Sequence, residues 1–404
     1  MSTSLLYHAF GATHYNYLKT EYEGGQIRLH LAKKPGKQRC VVCRSNRIIR
    51  QGKRTYSVQT VPIGCKPVWL CLHLHQLECK DCGARRQEAR EIADPRRTFT
   101  RQLARLALDL TKVMTIHDVS RFLQMSWHQV RDIVKEKLER QETKRSWRQV
   151  KYLAIDEIAI RKGHRYMTVI VDLKSGVVLD AVEGRACEDL EPVFKHLRKA
   201  RAKLKAIAVD MSPAYKKAIQ TYAPGVSIVH DPFHVVQSVN MALDEVRRME
   251  QARLEGDGKK VIKGSRFLLL KGKEKLEKDQ EKVRKLDALL AQNENLFRAY
   301  LLKEDLRQLW SQPDKAEAEA FLETWIGEAR DLNLAPFNRL LKTFSRHREA
   351  LLAWYDHPIS TGPLEGLNNK IKVLKRRAYG YRNQSFFRLL ILFIHQTKFR
   401  LSGT

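Results

Sequence analysis

Six of the seven cysteines of this 404-residue chain fall between Cys40 and Cys82, and four of them form two pairs of one spacing, Cys40-x2-Cys43 and Cys79-x2-Cys82. Two such knuckles place four thiolates around one tetrahedral ion, and binding closes the intervening loop. Four thiolates leave no open position for a substrate water, so the expected Zn2+ is structural, contributing on the order of 10 kcal/mol in modules of this kind. Cys65, Cys71, His73 and His75 compete as ligands, but Leu70, Leu72 and Leu74 alternate with the last three in the manner of a strand's two faces. Residues 1–95 otherwise carry short apolar runs and turn residues. They predict a β-rich zinc-binding module, too poor in core to fold unless the metal staples it.

From Thr100 the apolar spacing becomes helical, and residues 96–145 read as a helix-turn-helix domain. One helix runs from His117 to Leu123, the turn falls near Gln124 and Met125, and Ser126 caps a second helix. Trp127, His128, Gln129 and Arg131 lie on its early face and suit contact with base edges or phosphates, whereas Val130, Ile133 and Val134 pack inward. A structural three-helix bundle has the same periodicity, so the charge of the chain matters here. Lysine and arginine number 75 against 45 acidic residues, a net charge of +30, and this favours a polyanionic partner. With 43% hydrophobic and 8% aromatic residues the chain is not a disordered basic tail. No apolar run approaches a membrane span, and the N-terminus lacks a signal peptide's pattern, so a cytoplasmic protein is expected.

Residues 146–234 alternate apolar strands (KYLAIDEIAI, RYMTVIVDL, VVLDAVEG, LKAIAVD, GVSIVHD) with one helix over EDLEPVFKHLRKARAK, which describes a mixed α/β sheet. Residues 235–357 are charged, helix-favouring and threaded with leucines, an all-helical block or helical hairpin, and residues 358–404 continue as a basic helix followed by the apolar helix SFFRLLILFIHQTKF.

Asp156 sits in the apolar strand LAIDEIAI, and Asp210 ends the strand IAVD. Acids projecting from neighbouring strand ends can hold two divalent ions, which activate an attacking oxygen and stabilise the leaving one in an in-line phosphoryl displacement. Mg2+ suits such oxygen ligands and keeps several waters, with Mn2+ as a substitute. The third candidate is Glu365 in GPLEGLNNKIKVLKRR, where a helix beginning at Pro363 carries Asn368, Asn369 and Lys372 on or near the same face. Asp172, ending TVIVDL, competes with Asp156, whereas the neighbouring Glu157 faces the other side of the strand. Lys372, Lys375, Arg376, Arg377 and Arg382, interleaved with Tyr379 and Tyr381, suit contact with frayed DNA, although a solvated helical face has the same composition. Trp310, Trp325 and Trp354 read as core or interface residues.

The order of these motifs, with HDPFHVVQ between AVDMSPAY and GPLEGLNNKIKVLKRRAYGYRN, resembles bacterial insertion-sequence transposases of the IS-L-three type over nearly the whole chain. The resemblance implies an N-terminal zinc ribbon and helix-turn-helix, and an RNase H-like mixed sheet interrupted by an all-helical insertion. It implies an Asp-Asp-Glu triad of Asp156, Asp210 and Glu365, with Asp172 left to a turn, and strand cleavage and transfer at terminal inverted repeats. Asp231 and His234 match an Asp-x2-His element of related transposases and, with Asn368 and Asn369, are auxiliary candidates. Double-stranded DNA, as element ends and as target, is the expected partner, met in the nucleoid. Pairing two ends calls for a homodimer or larger assembly. Two other readings remain at this point, a non-catalytic zinc and helix-turn-helix regulator and a structure-specific metal-dependent nuclease that does not rejoin.

Overall fold

The computed structural model describes residues 3–34, 36–143, 146–161, 163, 165–253, 262–276 and 279–394. They form two compact units, one from the first 144 residues and one from residues 145–394. Both contain a mixed sheet, so the fold is mixed α/β with many helices.

In the first unit α1 (Thr3–Phe10) precedes β1 (Tyr15–Glu23), β2 (Gln26–Lys33), β3 (Ile48–Ile63), β4 (Lys66–Cys79) and β5 (Arg85–Gln87). The strand order is β1-β2-β4-β3 with β5 on β4, and β2 and β4 run parallel. Leu70, Leu72 and Leu74 are fully buried with Leu29, Leu31 and Val58 against Leu6 and Phe10 of α1. The module thus has a larger core than its sequence suggests. The apolar alternation is short in β1 and β3 taken singly, but pairing lays the alternating faces of four strands side by side. Three helices follow, α2 (Arg101–Leu110), α3 (Ile116–Phe122) and α4 (Trp127–Glu142). Thr115 and Ser126 each close a capping box at the start of α3 and α4, and Gln124 turns the chain between them with a φ of 51°.

The second unit opens with β6 (Tyr152–Arg161), β7 (Arg165–Asp172) and β8 (Val177–Glu183), followed by α5 (Glu191–Lys199), β9 (Ala206–Val209), α6 (Pro213–Tyr222) and β10 (Ser227–His230). Two helices therefore separate the strands where the sequence suggested one. The short α6 starts at Pro213 and buries Tyr215, Ala218 and Ile219, a stripe masked by its lysines. The sheet order is β10-β9-β6-β7-β8, with β10, β9 and β6 parallel and the β6–β7–β8 meander antiparallel.

The described helices of the next block are α7 (Pro232–Arg253), α8 (Arg266–Leu270), α9 (Lys273–Leu276), α10 (Gln280–Ala291), α11 (Glu294–Leu306), α12 (Lys315–Asp331) and α13 (Ala335–Leu352). They enclose one core that includes Leu243, Leu296, Leu322, Trp325 and Phe344, a bundle rather than a hairpin. The indole of Trp325 donates to the Leu302 carbonyl, Trp310 packs on the same core, and Trp354 packs beside Ala206 and Val229, so the three tryptophans serve packing. The chain ends in α14 (Gly362–Arg377) and α15 (Gln384–Leu392), and the extension of the apolar helix to Phe399 lies outside the described residues.

Candidate active site

The register of the parallel strands builds the site. Leu153 and Ala154 of β6 pair with Ile207 and Ala208 of β9, and two residues further along the same register sets Asp156 level with Asp210 on one face. Ala208 and Val209 pair with Val229 and His230 of β10, so Asp231 follows level with Asp210. Three acids thus stand in one row across three adjacent parallel strands, just past the ends of β9 and β10 and midway along β6.

Burial raises the carboxyls of Asp156 and Asp210 above the ordinary range. For Asp156 the Glu157 backbone N–H, His234 and the Asn368 amide oppose this. For Asp210 the Ser212 N–H, His234 and Arg185 oppose it, and the charge of Asp156 adds to the rise. Two desolvated carboxylates that repel one another, with oxygen lone pairs left over, are a donor set suited to a divalent cation. Their oxygens and those of Glu365 do not yet converge: among the described residues, the cysteine cluster is the one group of three or more acid, histidine or cysteine ligands within 4.8 Å.

Two contacts fix α14 over the row. Asp231, buried, accepts hydrogen bonds from the Thr361 N–H at 2.9 Å and from the Thr361 hydroxyl, and also caps α7 through the Phe233 N–H. Three residues past Glu365, Asn368 donates through Nδ2 to Asp156 Oδ2 at 2.8 Å. Glu365 is exposed in the first turn of α14, between these anchors. His234 lies within electrostatic reach of both aspartates and close to Gln237, while Asn369 is exposed.

The rival acids are engaged elsewhere. Asp172 holds the β7–β8 turn by accepting from the backbone of Lys174 and Ser175 and from the Ser175 hydroxyl. Glu157 pairs at 3.2 Å with Arg185, whose guanidinium lies 4.2 Å from the centre of the Tyr166 ring. Arg185 was absent from the sequence reading, since nothing local marks a residue that only the sheet brings beside Asp210.

Beyond Glu365, Lys372, Arg376, Arg377 and Arg382 are exposed, and Lys375 reaches toward the Ala159 carbonyl. Tyr381 requires a correction. Its ring stacks on Phe387 at 4.6 Å, and burial pushes its phenol up to about 12, so it packs inward. Tyr379, with a φ of 52°, stands fully in solvent and offers the free aromatic face.

Within the first unit, the Sγ atoms of Cys40, Cys43, Cys79 and Cys82 all lie within 4.8 Å of one another, with Cys40–Cys82 at 3.6 Å and Cys43–Cys79 at 3.5 Å. Tetrahedral Zn–S bonds of about 2.3 Å need separations near these. The N–H groups of Cys43 and Val42 draw the Cys40 thiol down to about 6. The Ser45 N–H also favours a Cys43 thiolate, yet the Cys79 and Cys82 sulfurs push that thiol up to about 12; a cation shared by the four sulfurs would let them bind it as thiolates. Two of the competing side chains are engaged elsewhere, His73 with His30 and Thr55, and Cys71 beside Ser57.

On α4, Val130, Ile133 and Val134 are buried, Trp127 and His128 are exposed, and Arg131 lies over the Trp127 ring and pairs with Asp132. Gln129 requires a correction as a base reader: its Oε1 accepts the Ser126 N–H and its Nε2 donates to Thr98. Phe122 is exposed where α3 ends.

Residues 153–391 match a family model described as "Transposase", and residues 88–136 match one described as "Helix-turn-helix domain of transposase family ISL3". Over 338 residues the chain is 35% identical to the transposase for insertion sequence element IS1001 of Bordetella parapertussis, with 83% of each covered. It is 33% identical over 255 residues to the transposase for insertion sequence element IS1557 of Mycobacterium tuberculosis, with 57% of each covered. A chain of the Drosophila P element transposase strand transfer complex overlays 72% of this chain and 90% of its own at a TM-score of 0.40 and 11% identity, too loose a match to carry an argument. No helix among the described residues is long and apolar enough to cross a membrane.

Proposed function

Because the chain belongs to transposase family ISL3, we propose that it binds the terminal inverted repeats of its insertion sequence, cuts a phosphodiester at each end and joins the freed ends to target DNA. Asp156, Asp210 and Glu365 are the metal-binding acids in this reading, and the β6–β10 sheet with its helical block is an RNase H-like core carrying an insertion.

The observation that carries it is the path of α14 across the strand ends. Its anchors, Thr361 and Asn368, are held by Asp231 after β10 and Asp156 on β6, and β9 lies between those strands. Seven helical residues span about 10 Å and two strand spacings also amount to about 10 Å, so the helix crosses β9 near Glu365. Residues three and four apart share a helix face, so Glu365 lies on the same side of α14 as both anchors, which supports its reading as the third acid.

Divalent ions at these carboxylates, Mg2+ with Mn2+ as a substitute, would supply the charge that activates the attacking oxygen and steadies the leaving one. Asn368 orients Asp156, the Asp231–Thr361 contact fixes the approach of Glu365, and His234 and Arg185 work against the rise that burial imposes on Asp210. In cleavage, water oxygen bonds to phosphorus as the bond to the 3′-oxygen breaks, one proton passing from water to solvent and one from solvent to the 3′-hydroxyl. In joining, that 3′-hydroxyl gives its proton to solvent, bonds to a target phosphorus and displaces the target's own 3′-oxygen, which takes up a proton from solvent.

End recognition falls to α4, through Trp127, His128 and Arg131, beside a structural Zn2+ site of Cys40, Cys43, Cys79 and Cys82. Lys372, Lys375, Arg376, Arg377 and Arg382 with Tyr379 hold DNA near the acids. Two ends call for a homodimer or larger assembly, acting on nucleoid DNA in the cytoplasm.

Incubation with Mg2+ and a duplex bearing the terminal repeat tests the reading. Cleaved and joined products are expected from the native chain. Asp156→Asn, Asp210→Asn and Glu365→Gln should each abolish cleavage while leaving repeat binding intact. Binding without cutting would make the chain a regulator, cutting without joining a nuclease, and a fully active variant would remove its residue from the triad.

A further inference from the structure

The first turn of α7 carries two neighbouring rings with opposite surroundings. His234 lies within electrostatic reach of Asp156 and Asp210, whereas Phe233 is 61% exposed, its ring edge-to-face with that of His234 at 5.5 Å. Its backbone is held firmly, since the Phe233 N–H donates to the buried Asp231, which also grips Thr361. Gln237 and Met241 continue the face at the i+4 and i+8 positions, both exposed, Met241 at 68%, while Val235, Val239, Leu243 and Val246 on the opposite side are buried in the bundle. The outer face of α7 thus presents Phe233 and Met241, with Gln237 between them, as a lane that begins beside the acids and finds no cover among the described residues.

We propose that Phe233 is a stacking platform for an unpaired nucleobase, the one next to the phosphate held at Asp156 and Asp210, with Met241 receiving the strand further along. This rests on the phosphodiester reading of the carboxylates. In-line attack on a phosphate inside a duplex demands local unpairing, and a freed base needs a π-face to replace its lost stacking. A ring whose backbone is locked to the helix that carries Glu365 offers that face at the required place. A chain of net charge +30 selects a polyanion for it, and a ring accepts any base, so the site stacks without reading sequence.

The experiment is a substrate-and-protein cycle on the terminal-repeat duplex. Phe233→Ala should slow Mg2+-dependent cleavage roughly tenfold to a hundredfold and Phe233→Trp should retain it. On a duplex made abasic at the nucleotide beside the cleaved phosphate, the native and Phe233→Ala rates should converge. A second arm needs no chemistry: Asp156→Asn protein bound to a duplex with 2-aminopurine at that nucleotide should change its fluorescence, and Asp156→Asn combined with Phe233→Ala should not. Unchanged cleavage by Phe233→Ala, or an equal defect on intact and abasic duplexes, overturns the proposal. So does a loss of self-association in Phe233→Ala with the fluorescence change intact, which would make the lane a contact between copies of the chain. Native protein that does not cut at all refutes the phosphodiester reading, while the fluorescence arm still judges the stacking.

Discussion

Asn368 and Asp156, separated by 212 positions, meet through a 2.8 Å hydrogen bond from the amide Nδ2 to the carboxylate Oδ2. The Asn368 amide is buried and its Oδ1 has no partner. Geometry therefore leaves this side chain one visible task, to hold Asp156 at the angle from which it can take a cation. Removing a residue that orients a metal-binding group costs roughly tenfold to a hundredfold in activity. Asn368→Ala should lower the single-turnover cleavage rate by that factor with repeat binding unchanged. Asn368→Asp, which sets a second charge against Asp156, should be slower still. An Asn368→Ala rate equal to that of the native chain would show that Asp156 needs no such support.

The bond between Asp231 and Thr361 should matter first for stability. Three donors, two from Thr361 and the Phe233 N–H, converge on one buried carboxylate. Asp231→Ala leaves them without an acceptor, at a cost of about 2–5 kcal/mol, whereas Thr361→Val removes one hydroxyl for about 1 kcal/mol. Urea denaturation of the full chain should show that ranking. Asp231→Ala should also lose cleavage, because α14 is no longer pinned beside β10. Equal stability of the two variants would disprove the buckle.

What could be read in advance divides by range along the chain. Asp210 was legible because an apolar strand ends at it, the cysteine pairs because their spacing is local chemistry, and Ser126 because a cap precedes a periodic run. Arg185 and the row formed by Asp156, Asp210 and Asp231 arise from strand order, which no local pattern encodes. Tyr379 and Tyr381 have the same composition around them, and their opposite exposure follows from the packing of Phe387. Gln129 has the type of a base reader, yet the capping box that starts its helix engages its amide. The core of the first unit escaped notice because β3 is mostly polar and contributes through its pairing with β4.

That core changes what metal removal should do. The four cysteines lie where β3 begins and β4 ends, whereas Leu6, Leu29, Leu70 and Leu72 form a cluster that contains no cysteine. Stripping zinc should therefore open the segments around Cys40–Cys43 and Cys79–Cys82 without melting the sheet. Hydrogen exchange should show lost protection there and retained protection at Leu29 and Leu72, and Cys43→Ser should reproduce the pattern. Exchange of the whole unit on zinc removal would restore the metal to the role of staple.

A buried histidine pair should set the acid limit of the second unit. His230 is fully buried, with Nδ1 3.3 Å from the Val209 carbonyl and Nε2 2.8 Å from His347 Nδ1 on α13. A carbonyl can only accept, so His230 donates from Nδ1 and its Nε2 accepts the His347 Nδ1–H, which requires His230 neutral. Burial, with His347 and Lys216 nearby, lowers His230 to about 4, and burial also lowers His347, with Lys216 and Arg346 adding to it. The unfolded chain, near the ordinary 6.5, takes up this proton before the folded one does. The contribution is thus complete above pH 6.5 and falls away as pH drops toward 4, by up to about 3 kcal/mol. Urea midpoints of the full chain should decline through that window. His230→Gln, which can donate and accept but does not titrate there, should be less stable than the native chain at pH 7.5 and narrow the gap by pH 4.5. A stability difference between the two that stays constant from pH 7.5 to 4.5 would mean that His230 takes up its proton as readily in the folded chain as in the unfolded one.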